Sequence, residues 1–495
     1  LADEFTVEMA QDIMQTGDAA ELLAALTGQN AFVRRLPDGV TYRFHHMMKE
    51  CALRVFLTLP QERRNDCRRR FGAWYEQHRQ YLHAMQAYYQ SGDYHALLRV
   101  VQQDAGILLS SLDPKNVLDF LDECPEDTLK AHPAALLVLM RSMFNWRNIP
   151  RMLTLRQLLL TAIDEDTQRS AEERGNLLGE CDLIMSFLCY NDISAMSRLH
   201  RSASAQMSRP AVSIQSSGGW TFGSPSVLMM FYRAPGELES ELAEMDECMP
   251  HYYKITGNHG QGAETIMHAE AAFMQGRFTD AHIALERAYA QIEGNGQENM
   301  ALCCDFLARR LSLFTDIGQR AKLEKRRERL LAHHNVSWLN LWNAAAAYHH
   351  ALLGSTDSIP EAYRRHRLFT VRTLAPGKPM IEMIENQVYL AQGEYAHVIG
   401  RSEGLLTQCE AMHYALVALH IRIQTAAAYE MLGKHGEARA LLERALADAE
   451  PDGFALPFAE NFRYLEPLLT ERLQDGLTGR IVRLGGLAGQ RRAAA

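Results

Sequence analysis

The sequence predicts an all-α chain in which a small N-terminal module carries the one β-hairpin and a long array of helical hairpins follows. A Pro37-Asp38-Gly39 turn between two β-favouring runs predicts the hairpin. Glycines at 236, 276, 318, 354, 393 and 433 recur at intervals of 36 to 42 residues, each between apolar helical runs. Residues 271–288 and 428–445 share eight identities at a fixed offset of 157. These are Ala271, Met274, Gly276, Ala281, Leu285, Glu286, Arg287 and Ala288, matched by Ala428, Met431, Gly433, Ala438, Leu442, Glu443, Arg444 and Ala445.

Taken in order, Asp3 to Met14 reads as helix. Asp18 with Glu21 has capping-box spacing before the amphipathic "AAELLAAL", which Gly28 ends. "AFVRRL" then turns into "VTYRFH", and a helix starts near His46. Helix, helix, hairpin, helix is a winged-helix layout. His45, His46 and Cys51 raise the question of a metal or a catalytic pair. Adjacent side chains on a helix diverge by about 100°, so they do not converge on one ion, and packing and capping is the expected role.

From about Tyr81 the repeat takes over. Glycine ends each helix because the chain leaves through a left-handed residue, where a Cβ is penalised. Ala281 and Ala438 let paired helices approach. Tyr429, Ala438, Leu442 and Ala445 have tetratricopeptide spacing, and Pro451 lies past the second helix. Degenerate turns near Gly92, Arg147 and Asp192 bring the expectation to about nine hairpins. Stacked hairpins bury each other's apolar faces and curve into a superhelix with a concave surface. The expected domains are a winged helix at 1–80, a tetratricopeptide-like superhelical sensor at 81–470 and a flexible tail at 471–495.

"LADEFTVEMAQDIM" and "AFVRRLPDGVTYRFHHMMKECA" resemble the winged-helix segment of the large ATP-binding LuxR-type transcription regulators of the maltose-regulon-activator kind. The resemblance implies an ATPase before the winged helix, a helical-repeat sensor after it and a terminal DNA-binding helix-turn-helix. Its Tyr-Arg-Phe-His-His-x-x-Lys run is structural in that family. No Gly-x-x-x-x-Gly-Lys-Ser/Thr occurs here; the nearest string has Arg372 for the first glycine and Pro379 after Lys378. The last residues are too short and glycine-rich for a helix-turn-helix. The chain is therefore expected to be a central fragment, with ATP and DNA belonging to missing parts and no cofactor of its own.

The 495 residues exceed one compact core, and charged residues make up 22% with a net charge of −9, which gives no bulk attraction to nucleic acid or acidic membranes. Nine cysteines without a CxxC pair read as reduced thiols in a cytoplasmic protein, and the resemblance implies a bacterial one. No apolar run reaches the ~20 residues of a membrane span, and no nucleophile or zinc motif supports an enzyme.

Two stretches break the repeat. "SIQSSGGWTFGSPS" (213–226) holds two rings between glycines, and "GNHGQGAE" (257–264) places glycine-rich backbone before a helix. Trp220, Phe222, His259 and Glu264, with Trp338, are the expected lining of an inducer pocket, with rings for stacking and His and Glu for hydrogen bonds. The alternative is a plugging loop and a tight entry turn. Arg64 and Arg68 share one helical face and offer a DNA or partner contact. The expected function is inducer or partner-protein sensing, relayed through the winged helix to the ATPase. A tetratricopeptide-type interaction scaffold and DNA contact by the winged helix are the alternatives.

Overall fold

The computed structural model describes all residues except 1, 30–31, 110–111, 217, 317–319, 333–334, 369–372, 471–475 and 495. The chain divides into two compact units, Leu1–Val138 and Leu139–Ala495.

The first unit opens with β1 (Glu4–Thr6), α1 (Val7–Met14), α2 (Ala19–Gly28), β2 (Val33–Arg35), β3 (Thr41–Phe44), α3 (His46–Thr58) and α4 (Gln61–Gln77). The strands form one antiparallel sheet in the order β1-β3-β2, with Phe5 opposite Tyr42 and Val33 opposite Phe44. Asp38 makes the turn by accepting hydrogen bonds from the backbone of Val40 and Thr41 at 3.1 and 3.0 Å, while Gly39 takes φ +73°. Leu23, Val33 and Tyr42 form the core, with Phe5, Ala10 and Leu26 packed on it. This is the winged helix the sequence predicted, with two local differences. Residues 4–6 are a third strand and not helix, because their backbone pairs with β3 and Phe5 stacks on Phe44. Asp18 stands at the N-cap of α2 without a side-chain capping bond.

Helical pairs begin within this unit: α5 (Tyr81–Ser91), α6 (Tyr94–Asp104), α7 (Pro114–Glu123) and α8 (Glu126–Lys130). Packing is continuous across residue 80. Gly72 of α4 lies so close to the Tyr88 ring that a Cβ would come within 2.5 Å, and Tyr88 Oη donates to Glu76 at 2.8 Å.

Helix α9 (Pro133–Asn145) spans the division at Val138. The second unit continues with α10 (Ile149–Glu165), α11 (Ala171–Ser186), α12 (Ile193–Gln206), α13 (Val227–Phe231), α14 (Leu238–Thr256), α15 (Ala263–Met274), α16 (Phe278–Asn295), α17 (Glu298–Leu311) and α18 (Arg320–Ala332). It ends with α19 (Val336–Leu353), α20 (Glu361–Arg364), α21 (Lys378–Gln392), α22 (Tyr395–Ala411), α23 (Ala415–Met431), α24 (His435–Ala449), α25 (Leu456–Glu460), α26 (Phe462–Thr470) and α27 (Leu477–Ala494). Pairs such as α15–α16 and α23–α24 pack across short turns, and α15, α17, α19, α21 and α23 pack on one another in sequence order. Gly236, Gly276, Gly354, Gly393 and Gly433 all take left-handed φ between 72° and 87°, as the turn reading expected; Gly318 lies outside the described residues. Ala281 and Ala438 are fully buried at their helix contacts.

The array also closes on itself. Asp452 accepts from Tyr232 Oη at 2.5 Å and from the Gly236 N–H at 2.6 Å. The Ala455 N–H donates to the Met274 carbonyl at 2.9 Å. Buried Arg310 of α17 donates to Glu460 of α25 at 2.7 and 3.0 Å, and Tyr348 of α19 donates to the same carboxylate at 2.9 Å. The inner helices thus meet the chain's own C-terminal segment where an open concave groove was expected.

The segment expected as a flexible tail contains a packed helix. Ile481, Leu484 and Ala488 form a buried stripe on α27, which packs on α25 and α26. A Cβ at Gly485 would come within 2.2 Å of Phe462, so this glycine serves close packing. Residues 471–475 lie outside the described part. Among the described residues no helix is long and apolar enough to cross a membrane.

Candidate functional site

The segment after α12 runs inward. Glu180 of α11 is buried and holds it, accepting from the Val212 and Ser213 N–H groups at 3.1 and 3.0 Å, from Ser213 Oγ at 2.7 Å and from Arg209 at 2.8 Å. Further along, Asn299 Oδ1 of α17 accepts from the Trp220 and Thr221 N–H groups at 2.8 and 3.2 Å. Phe222 takes φ +50°, a left-handed conformation that costs a bulky residue on the order of 1–3 kcal/mol. Its ring stands edge-on to Phe144 and Phe187, at 5.3 and 5.2 Å between centroids.

Trp220 and Phe222 of this segment, with His259 of the turn before α15, line one interior cavity of about 30 Å³. Space of that size holds one or two water molecules. Arg141, His200, Cys248, Met249 and Tyr252 also line it. Trp220 lies over Gly260, where a Cβ would fall 2.2 Å from the indole, and its ring packs against Phe231 at 5.5 Å. Buried His259 pairs through Nδ1 with Tyr252 Oη at 2.6 Å, and His200 Nε2 pairs with Ser186 Oγ at 3.0 Å. Burial pulls both imidazoles down to about 3, helped at His259 by the charge of Arg141 and at His200 by that of His251, so both stay neutral near pH 7. The stretch is therefore a filled interior site in this conformation, with the loop itself as filling.

The other two residues expected in the pocket lie beside it. Glu264 accepts a hydrogen bond from Tyr253 Oη, next to Tyr252 of the wall, and does not reach the cavity. Trp338 borders the loop from outside, its indole nitrogen 3.6 Å from where a Gly219 Cβ would stand. From the glycine-rich turn before α15 only His259 reaches the cavity.

Arg141, His200 and Tyr252 went unread because they sit within helices of the array. The signal available was polarity in apolar surroundings, as with Arg141 in "LLVLMRSMF".

In the first unit, His45 and His46 are exposed with rings 4.5 Å apart, and exposed Cys51 is unpaired. His45 occupies the N-cap position of α3 without a side-chain bond. Arg64 donates to Gln61, while Arg68 donates to the Gln90 carbonyl at 2.9 Å and lies over Phe56. Both arginines are thus engaged within their own unit. Among the described residues no group of three His, Cys, Asp or Glu side chains is placed to hold a metal ion.

No curated protein matches the chain. Residues 1–64 match the family model described as the MalT winged helix domain. With the sheet and helices above, that match supports a protein of the transcription-regulator type.

Proposed function

We propose that this chain is the signal-receiving part of a cytoplasmic bacterial LuxR-type regulator, acting as a sensor and not as an enzyme. Its helical array takes up a small inducer around Trp220, Phe222 and His259, and the winged helix relays the change to an ATPase elsewhere in the full-length protein. The observation that carries this reading is the convergence of three residues from two separate irregular stretches on one cavity. The loop that fills the site carries strained backbone at Phe222, and its displacement by a ligand would release that strain. Such a ligand acts only through its differential affinity for the loop-out and loop-in states.

Helix α3 supports the relay. It buries none of its residues, and Met47, Val55 and Leu57 are 56, 65 and 50% exposed. A 13-residue helix is marginal alone in water, and exposed apolar side chains such as these, set among Lys49, Glu50 and Arg54, are surface for a partner to cover. The proposed cover is the ATPase of the longer protein, which would also supply any ATP chemistry.

Isothermal titration of small metabolites against the chain and its Trp220→Ala variant tests the reading. A compound that binds the wild type and not the variant supports it. Binding that is unchanged in the variant overturns it, as does capture of partner proteins with no small-molecule heat at all, which would favour a tetratricopeptide-type scaffold.

A further inference from the structure

The seat of the Trp220 ring is built from parts outside the loop that fills it. Its floor is Gly260, where a Cβ would fall 2.2 Å from the indole. The Gly260 N–H donates to Gln297 Oε1 at 3.1 Å, Gln297 Nε2 donates to the Asn258 carbonyl at 3.1 Å, and Tyr253 Oη donates to the Gly260 carbonyl at 3.3 Å. These bonds hold the turn before α15 without help from residues 213–226. A second wall is Phe231 of α13, 5.5 Å from the indole between ring centroids. Buried Glu270 of α15 anchors that helix by accepting from the Leu228 N–H at 2.7 Å. A stretch of backbone without a side chain and the ring of Phe231 thus bound a space shaped to a flat bicyclic group, and both stay when the loop leaves.

The polar groups beside this seat have one character. His259, the chain neighbour of Gly260, pairs through Nδ1 with Tyr252, and its buried Nε2 has no hydrogen-bond partner. The Gly218 and Gly219 carbonyls lie near enough to favour a proton on the ring, yet neither completes a bond to Nε2. With Nδ1 taken by Tyr252, that proton is assigned to Nε2, which is then a donor in want of an acceptor. Both carbonyls belong to the loop and would leave with it. Arg141 carries the one formal charge among the described lining residues, and that charge acts on His259. No aspartate or glutamate is among them.

We propose that the molecule received here is a planar aromatic acid about the size of an indole, with its ring in the seat over Gly260 and its carboxylate toward His259 Nε2 and Arg141. This inference rests on the sensor reading above and names the ligand class that the site selects. A flat ring fits between the Gly260 backbone and Phe231, and the displaced indole can stack on it. A saturated ring is puckered and would press on the Gly260 backbone. A carboxylate is stable out of water only where a donor and a cation meet it, and the seat offers both.

The test compares 2-naphthoate, decahydro-2-naphthoate and 2-naphthalenemethanol by isothermal titration against the 495-residue chain. The naphthoate is expected to bind at least tenfold tighter than the saturated acid, which lacks its flatness, and than the alcohol, which lacks its charge. His259→Phe keeps a ring at the wall and removes the donor, so it is expected to erase the preference for the acid over the alcohol. Gly260→Ala places a methyl group in the seat and is expected to weaken naphthoate at least tenfold. The comparisons on the wild type stand whether or not either variant folds. The proposal is overturned if naphthoate does not bind, if the saturated acid or the alcohol binds as tightly, or if a folded His259→Phe chain keeps the preference. A non-planar or uncharged compound that binds the wild type and not Trp220→Ala would also overturn it, while leaving the sensor reading in place.

Discussion

Replacing Glu460 tests whether the array is held closed by its interior ion pair. Arg310 and Glu460 are 150 residues apart in sequence and have side-chain exposures of 1 and 0%. The guanidinium also lies over Phe273, Phe306 and Tyr348 at 4.9, 5.4 and 5.6 Å, so no water is at hand to replace a lost partner. Glu460→Leu leaves a buried cation and the Tyr348 hydroxyl without their acceptor. Breaking a buried pair in this way costs about 3–5 kcal/mol. An exposed pair such as Arg201–Glu247, at 3.1 Å, should cost under about 1 kcal/mol when broken, and serves as the control. The triple replacement Arg310→Met, Tyr348→Phe and Glu460→Leu removes every group that needs the carboxylate, so it should recover most of the loss. Urea unfolding followed by circular dichroism measures all three. If Glu460→Leu costs no more than Arg201→Ala, or if the triple variant is less stable than the single one, the ion pair does not hold the closure.

Other outcomes follow from the same geometry. Gly260→Ala should displace the Trp220 ring, because the new Cβ would fall 2.2 Å from it and φ is +73°; a shift in tryptophan emission with a loss of at least about 1 kcal/mol checks it. Burial lowers the folded-state pKa of His259 from 6.5 to about 3, so the unfolded chain binds the proton first as pH falls. Its contribution to stability is complete above pH 6.5 and drains away toward pH 3, and His259→Gln should flatten that part of the pH–stability curve relative to wild type. Val55→Lys on exposed α3 should change stability by less than about 0.5 kcal/mol while reducing the binding of a hydrophobic dye.

The repeat was legible because its marks are local. A left-handed glycine in the turn between paired helices and a small residue at their crossing follow from backbone sterics and close approach, and Gly276, Gly433, Ala281 and Ala438 sit as those rules demand. The hairpin around Asp38 was legible for the same reason. Closure was not legible, since Arg310 and Glu460 become partners only when distant repeats converge, and each reads as a surface residue in its own helix. Strand β1 was hidden by its three-residue length, and α27 by glycines that read as flexibility although one of them, Gly485, serves contact with Phe462. At the cavity, aromatic residues in a glycine-rich stretch marked Trp220 and Phe222, whereas Tyr252 and His200 carry no such mark within α14 and α12.

The account turns on Trp220 occupying the place where a signal molecule is received. Fluorine NMR of the chain labelled with 5-fluorotryptophan measures this, with the Trp220 resonance assigned through Trp220→Phe. A compound that binds by calorimetry should move that resonance to a second position as the indole leaves its seat over Gly260. A compound that binds while the Trp220 resonance stays in place would contradict the account.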